Sequence, residues 1–549
     1  MNTLHPIGVL KTIEAPCSYI LDSLGLFQQI SAKSDHHLLF DSAEIESKEH
    51  LKSLLLVDAC LKLTCQGLVV TLEALTDNGK DLLTFIAPKF STQLITGQTP
   101  SLLQLTFPQS DTSGDEDQRL KSASPMDAIR CLVDRIKKRS THSEALFLGG
   151  VFAYDFIATF EQLIEVPDGE NTTPDYVFYV AETLMIHDHQ TQKSEILGSI
   201  FGGLYSDESE LRITKRITEL QGLCDNFIAP INQQMTIDAK VSVDVSDIEY
   251  CAIVEQLKTN IVKGDIFQVV PSRSFSLPCP DPISAYQKLK ETNPSPYMFY
   301  LKDSDFILFG ASPESAIKFT QETQDVEIYP IAGTRRRGFN KDGTINKDLD
   351  GRLELELRLD KKETSEHLML VDLARNDVAR ISEPGTRHVA ELLQVDRYSH
   401  VMHLVSRVVG KLRSDLDALH AYQACMNMGT LVGAPKISAS NLVRKVEKKR
   451  RGSYGGAVGY INGNGEMDSC IVIRSAFVKD GIAQAQAGAG VVYDSVPQLE
   501  ADETRSKAAA VLNAIALAHG TTLTKVTSPK VTSANVTSVV NDTTIKQGE

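Results

Sequence analysis

The 549-residue sequence contains no tryptophan, although 20 Phe and 15 Tyr supply rings freely, so no indole can anchor its core or an interface. Long apolar runs are missing too. No stretch approaches the roughly eighteen uninterrupted apolar residues of a membrane-spanning helix, and Met1–Glu14 has no basic patch ahead of an apolar segment. Neither membrane insertion nor export is expected. Positive charge is short: 56 Lys and Arg face 71 Asp and Glu, and the net charge of −15 repels nucleic acid and anionic membranes alike. Cysteine offers no framework. The nine are odd in number, scattered from Cys17 to Cys470 and without C-x-x-C, which suits reduced thiols in a cytoplasmic protein better than disulfides or zinc. None is flanked by glycines as a nucleophile elbow requires, so the chain lacks an amidotransferase cysteine of its own.

What is present divides into two modules and a tail. Residues 1–230 read as mixed α/β, with a strand at Gly67–Leu72, an exposed polar loop at Phe107–Asp117 and a helix starting at Ser124-Pro125. A boundary falls near Ala229-Pro230. Beyond it, Ser246 and Glu249 form a capping box for a helix that closes at Gly264, and 245–519 is dense in motifs. Its last helix runs from Pro497 to His519, with Ser495 as the expected cap. Residues 521–549 turn to Thr, Val, Ser and Lys and read as a disordered tail, part of which could pair as an edge strand.

Two glutamate pairs carry the first chemical signal. Glu363 with Glu366, and Glu500 with Glu503, are each spaced to share one helix face. Each could be solvated surface, and Lys507 offers Glu503 a routine surface partner; if both pairs face one pocket, a cation must join them, and an all-oxygen shell suits Mg²⁺. Spacing leaves both readings open. Glycine clusters at 330–335, 451–456 and 486–491 are either tight turns or backbone cradles for a carboxylate, and none is a dinucleotide or phosphate-loop fingerprint. Arg474 in a strand-like run would, if partly buried, call for an anion; His403 lies on an apolar string; Lys448–Arg451 reads as a solvated basic face.

Taken in order, Gly264–Ser272, Asn293–Met298, Gly310–Glu314, Pro330–Arg335, Glu366–Asp377, Gly433–Lys436, Arg451–Gly456, Ala487–Gly490 and Glu500–Thr504 resemble the chorismate-utilising enzymes, most closely their anthranilate-forming branch. Leu38–Ala43 matches more weakly. The resemblance implies an α+β fold of two packed antiparallel sheets flanked by helices, and a Mg²⁺-dependent lyase that turns chorismate and ammonia into anthranilate and pyruvate. It implies metal contacts from Glu366 and Glu503, supported by Glu363 and Glu500. The implied substrate set is Gly333, Thr334, Thr430, Tyr454, Arg474, Gly488, Ala489 and Gly490, with Glu314 as the acid at the leaving hydroxyl and His403 acting in pyruvate elimination. Ser42, Pro296, Tyr297 and Met298 resemble a feedback site for L-tryptophan, with Asp41 standing where the usual pattern has glutamate. The ammonia donor implied is a separate glutamine amidotransferase subunit, in a heterotetramer of two large and two small subunits. Sister enzymes that add water carry lysine where Gln268 stands, and aminodeoxychorismate synthases carry lysine where Ala332 stands; the latter activity, or a non-catalytic tryptophan- or chorismate-binding module, are the alternatives.

Overall fold

The computed structural model describes residues 5–31, 34–41, 52–109, 114–230, 235–398 and 401–527. Ser42, part of the 107–117 loop and residues 528–549 of the proposed tail lie outside them. No helix among the described residues is long and apolar enough to cross a membrane.

Among the described residues, twenty-four strands join one continuous hydrogen-bonded network, antiparallel except where Val9–Cys17 meets Lys137–Lys138 and where Lys240–Val243 meets Thr524–Thr527. Long strands such as Lys52–Gln66 and Tyr176–Asp188 are apolar on successive residues rather than alternate ones, because both of their faces are covered. One core is built almost wholly from strands facing each other: Leu38, Leu56, Phe147, Val177 and Tyr179 meet Phe299, Leu301, Leu308, Val458 and Phe477. Helices close the outer faces. Ile213, Ile217 and Leu220 of Ser206–Asp225 and Val511, Leu512 and Ile515 of Pro497–Ala518 share a second core with the sheet. This is the α+β sandwich with helices outside that the motifs implied.

The boundary near residue 230 is not a break in the sheet. Strand His37–Asp41 pairs with Tyr297–Lys302, and Phe147–Phe152 pairs with Ala457–Asn462, so early and late halves are stitched together by backbone hydrogen bonds. The strand Thr524–Thr527 likewise carries strand pairing, with a shift of register, past Gly520.

The local helix signals hold for one helix and fail for others. The capping box on Ser246 and Glu249 is formed, and Gly264 ends that helix at φ +82°. By contrast, Ser124 donates its N–H to Asp127 instead of capping, and the helix runs Asp127–Arg135. Ser495 does not cap the last helix either. Val496 takes that place, and the Ser495 hydroxyl accepts from the Val492 N–H (3.0 Å) and bonds Glu500.

Candidate active site

Two helices deliver the glutamates. Lys361–Ala379 starts where the Asp360 carboxylate accepts the N–H groups of Lys362 and Glu363 (3.0 and 3.2 Å), which places Glu363 and Glu366 on successive turns. His367, Leu370, Val371, Ala374 and Val378 bury the stripe that seats it. Pro497–Ala518 starts on a first-turn proline and buries Ala501, Thr504, Ala508 and Val511, leaving Glu500 inside the protein and Glu503 at the rim. Burial pushes the Glu366 carboxyl up and the charges of Glu363 and Glu503 push it further, against the pull of Lys507 and Lys362. Burial likewise raises Glu500, with Glu503 adding to the effect. The two pairs therefore sense each other across one cleft.

Their neighbours hold them apart. Glu363 pairs with Arg335 (3.0 Å), whose other arm reaches Asp360 (2.7 Å), and Glu503 pairs with Lys507 (2.6 Å). Among the described residues no three Asp, Glu, His or Cys side chains stand close enough together to hold an ion. The donor chemistry nevertheless fits a hard divalent cation: four carboxylates, one of them buried beside two like charges. Lys507 supplies positive charge to this cluster from within. It also donates to the Gly488 carbonyl (3.0 Å), and its charge bears on Glu314, Glu366 and Glu500. Its place four residues after Glu503 suggested only a surface pair; nothing in the spacing showed that the pair lies beside three more carboxylates.

Glycines bring backbone up to these groups. A Cβ on Gly490 would come within 2.6 Å of Gln268 Nε2 and 3.2 Å of Glu366 Oε1, so a side chain there would push the end of the Gln268 amide away from Glu366. Gln268 Nε2 donates to Glu366 (3.1 Å), while its Oε1 is buried with no hydrogen-bond partner. That acceptor awaits a donor. Gly488 and Ala489 continue this edge, the Ala489 N–H donating to Pro271 O (3.2 Å). Opposite, Gly333 adopts φ +83° at a bulge beside Glu363, setting Thr334 directly across from His403.

Thr334 Oγ1 and His403 Nδ1 lie 2.9 Å apart, with the Tyr398 ring edge-on to the imidazole at 5.2 Å. Burial, helped by the Arg474 charge, lowers His403 to about 4, so the ring is neutral at neutral pH. Arg474 itself takes φ 50°, a conformation that costs a non-glycine residue about 1–3 kcal/mol. It has no ion-pair partner among the described residues, and burial lowers its pKa. A cation held this way calls for an anion. Tyr454 is buried beside it, its phenol pushed up to about 12 by burial. Glu314 is also buried, accepts from Thr430 Oγ1 (3.0 Å), and is pushed up to about 8 by burial. It is a protonated acid at neutral pH.

Met298 lies elsewhere, opposite Asp41 in the pairing of Tyr297–Lys302 with His37–Asp41. Asp41 is buried, accepts from Ser53 Oγ (2.5 Å) and pairs with Lys290. Tyr297 donates to Asp468 (3.3 Å), and Pro296 leads into the strand.

The "chorismate binding enzyme" family model matches residues 85–513. The chain belongs to the chorismate-binding enzymes. Anthranilate synthase component 1 of Vibrio cholerae is 57% identical over 511 residues, covering 93% of this chain and 97% of the relative. Its counterpart from Escherichia coli is 52% identical over 519 residues, covering 94% and 99%. Among solved structures, anthranilate synthase component I from Streptococcus pneumoniae aligns with a TM-score of 0.67 at 29% identity, covering 86% of this chain and 94% of that one. An isochorismate synthase from Escherichia coli shares the fold at a TM-score of 0.65 and 16% identity. In this family member Gln268 stands beside Glu366, and residue 332 is an uncharged alanine.

Proposed function

We propose that this chain is the chorismate-converting subunit of an anthranilate synthase, forming anthranilate and pyruvate from chorismate and ammonia as the entry to tryptophan synthesis. The observation that carries the reading is near full-length identity above 50% to proteins named anthranilate synthase component 1.

The geometry supports a division of labour. Arg474, Tyr454 and the Gly490 N–H suit the carboxylates of chorismate, with Gly488 and Ala489 shaping the edge beside them, and the contact to Arg474 is charge-assisted. Glu314, protonated below about 8, gives its proton to the departing 4-hydroxyl. Gln268 turns its buried, unpartnered carbonyl toward incoming ammonia; a neutral amide cannot activate water as a lysine does, which disfavours isochorismate formation. Neutral His403, set by Thr334, removes the ring proton as pyruvate is expelled. Glu366 and Glu503, backed by Glu363 and Glu500, would hold Mg²⁺, whose positive charge would offset a substrate carboxylate.

Ammonia comes from a glutamine amidotransferase partner in a two-plus-two assembly, since no cysteine here is set up as a glutaminase nucleophile. L-tryptophan is the feedback inhibitor, bound near Asp41, Pro296, Tyr297 and Met298. Because the chain has no tryptophan, bound ligand is its only indole, and emission on titration reports binding directly.

Purified chain given chorismate, Mg²⁺ and an ammonium salt at mildly alkaline pH develops anthranilate fluorescence. No product sinks the proposal, and an aminated product that keeps its pyruvate group replaces it with aminodeoxychorismate synthesis.

A further inference from the structure

Behind the acid Glu314 the protein is not solid. A small cavity lined by Glu314, Thr430, Tyr329, Ala374, Leu373 and Asp377 holds about 20 Å³ open to the centre of a water molecule. A site needs roughly 10–15 Å³ on that measure, and two to four polar partners, to hold one water. Glu314, Thr430, Tyr329 and Asp377 among its lining residues carry polar groups of that kind. Leu373 and Asp377, one turn apart on the helix Lys361–Ala379, also line a second cavity of about 390 Å³. That outer cavity is walled by charged pairs, Arg119 with Glu161 (2.8 Å), Arg380 with Glu116, and Lys436 with Asp377 (2.6 Å). Such walls are hydrated.

We infer that the two cavities form one passage, by which the water made in the reaction leaves Glu314 and a proton returns to it. The inference rests on Glu314 being the acid of the proposed reaction. When the C4–O bond breaks, its electron pair stays on oxygen, the Glu314 proton joins it, and water is released. One proton must then come back to the Glu314 carboxylate, balancing the one that the attacking ammonia nitrogen sheds to solvent. Glu314 feels the charge of Lys507, which bonds the Gly488 edge of the cleft, so with chorismate bound in that cleft, as the proposed reaction requires, neither transfer through the cavities has to wait for the ring products to leave. Asp377, buried at the shared wall and carrying Lys436, is the titratable group placed to relay that proton.

The test narrows the passage without touching the cleft. Leu373→Phe fills the shared wall, and Ala374→Val fills the inner cavity alone. With ammonium as the nitrogen donor, each folded variant is expected to lose about tenfold in kcat, with chorismate KM unchanged and a larger solvent deuterium isotope effect on kcat. A wild-type rate and isotope effect in either folded variant overturns the passage. So does a loss abolished by saturating ammonium, because the path would then carry ammonia inward. Should Leu373→Phe fail to fold against Gly429, Ala374→Val decides alone. Glu314→Gln is the separate control: full activity in that variant refutes the acid, and with it the reaction reading, whatever the cavities do.

Discussion

Two charged clusters sit within the same half of the molecule and are treated oppositely. Around Arg451 every charge is answered. Its guanidinium, 2% exposed, is bidentate to Glu447 (2.9 and 2.5 Å), donates to the carbonyls of Leu431 (2.8 Å) and Val270 (2.6 Å), and lies over the Tyr154 ring at 4.6 Å. Asp155 accepts from Arg444 (2.7 Å) and from the N–H groups of Arg451 and Gly452 (2.7 and 3.0 Å). Burial costs an ion several kcal/mol unless partners of this quality are present. In the cleft the partners are incomplete: Glu363 and Glu503 are paired at its edge, but Arg474 lacks a carboxylate, Glu366 sits beside like charges, Gln268 has an idle carbonyl, and Glu314 escapes the cost by staying protonated. The first cluster fixes the strands and turns that carry Gln268, Thr430 and Tyr454; the second leaves its charges for a ligand.

Removing a charge should therefore have opposite consequences in the two places. Arg451→Ala leaves Glu447 buried and unpaired, a loss of about 3–5 kcal/mol that a thermal or urea melt will register even without substrate. An unchanged midpoint breaks the comparison from the scaffold side. Glu314→Gln should melt normally and lose about 10²–10⁴ in kcat. The wild-type rate at constant free ammonia falls as pH rises through about 8, because the acid form is lost there, and the variant should lack that limb. Arg474→Gln is smaller: a charge-assisted contact of about 1.5–3 kcal/mol goes, chiefly into chorismate affinity, with the melting temperature held or raised.

The contrast was only half legible in the sequence. Glu363, Glu366, Glu500 and Glu503 announced themselves because helical spacing is a local property, and Gly333 because its positive φ favours glycine. Lys448–Arg451 misled, since four adjacent cations look like a solvated face. Arg451 is buried, Arg450 is paired with Asp175, and Lys449 is paired with Glu170 and Asp244 (2.6 and 2.9 Å). Those partners lie about 200 to 300 residues away, and no local pattern reports them. The pairing of His37–Asp41 with Tyr297–Lys302 was hidden for the same reason, as was the neutralising reach of Lys507. Ser495 shows the reverse error: a serine before a first-turn proline looks like a cap, yet here its hydroxyl serves Glu500.

The central claim is that the cleft keeps charge the fold does not want, and Glu366 is where it can be tested most directly. A carboxyl whose folded pKa is raised above its unfolded value destabilises the fold at any pH above that raised value, so removing its charge relieves the protein at neutral pH. Melting temperature and anthranilate turnover should be measured together on Glu366→Gln and on the parent chain. The account predicts a melting temperature equal or higher without ligands and turnover reduced by orders of magnitude. A variant that melts lower yet keeps its turnover would show that Glu366 is scaffold after all.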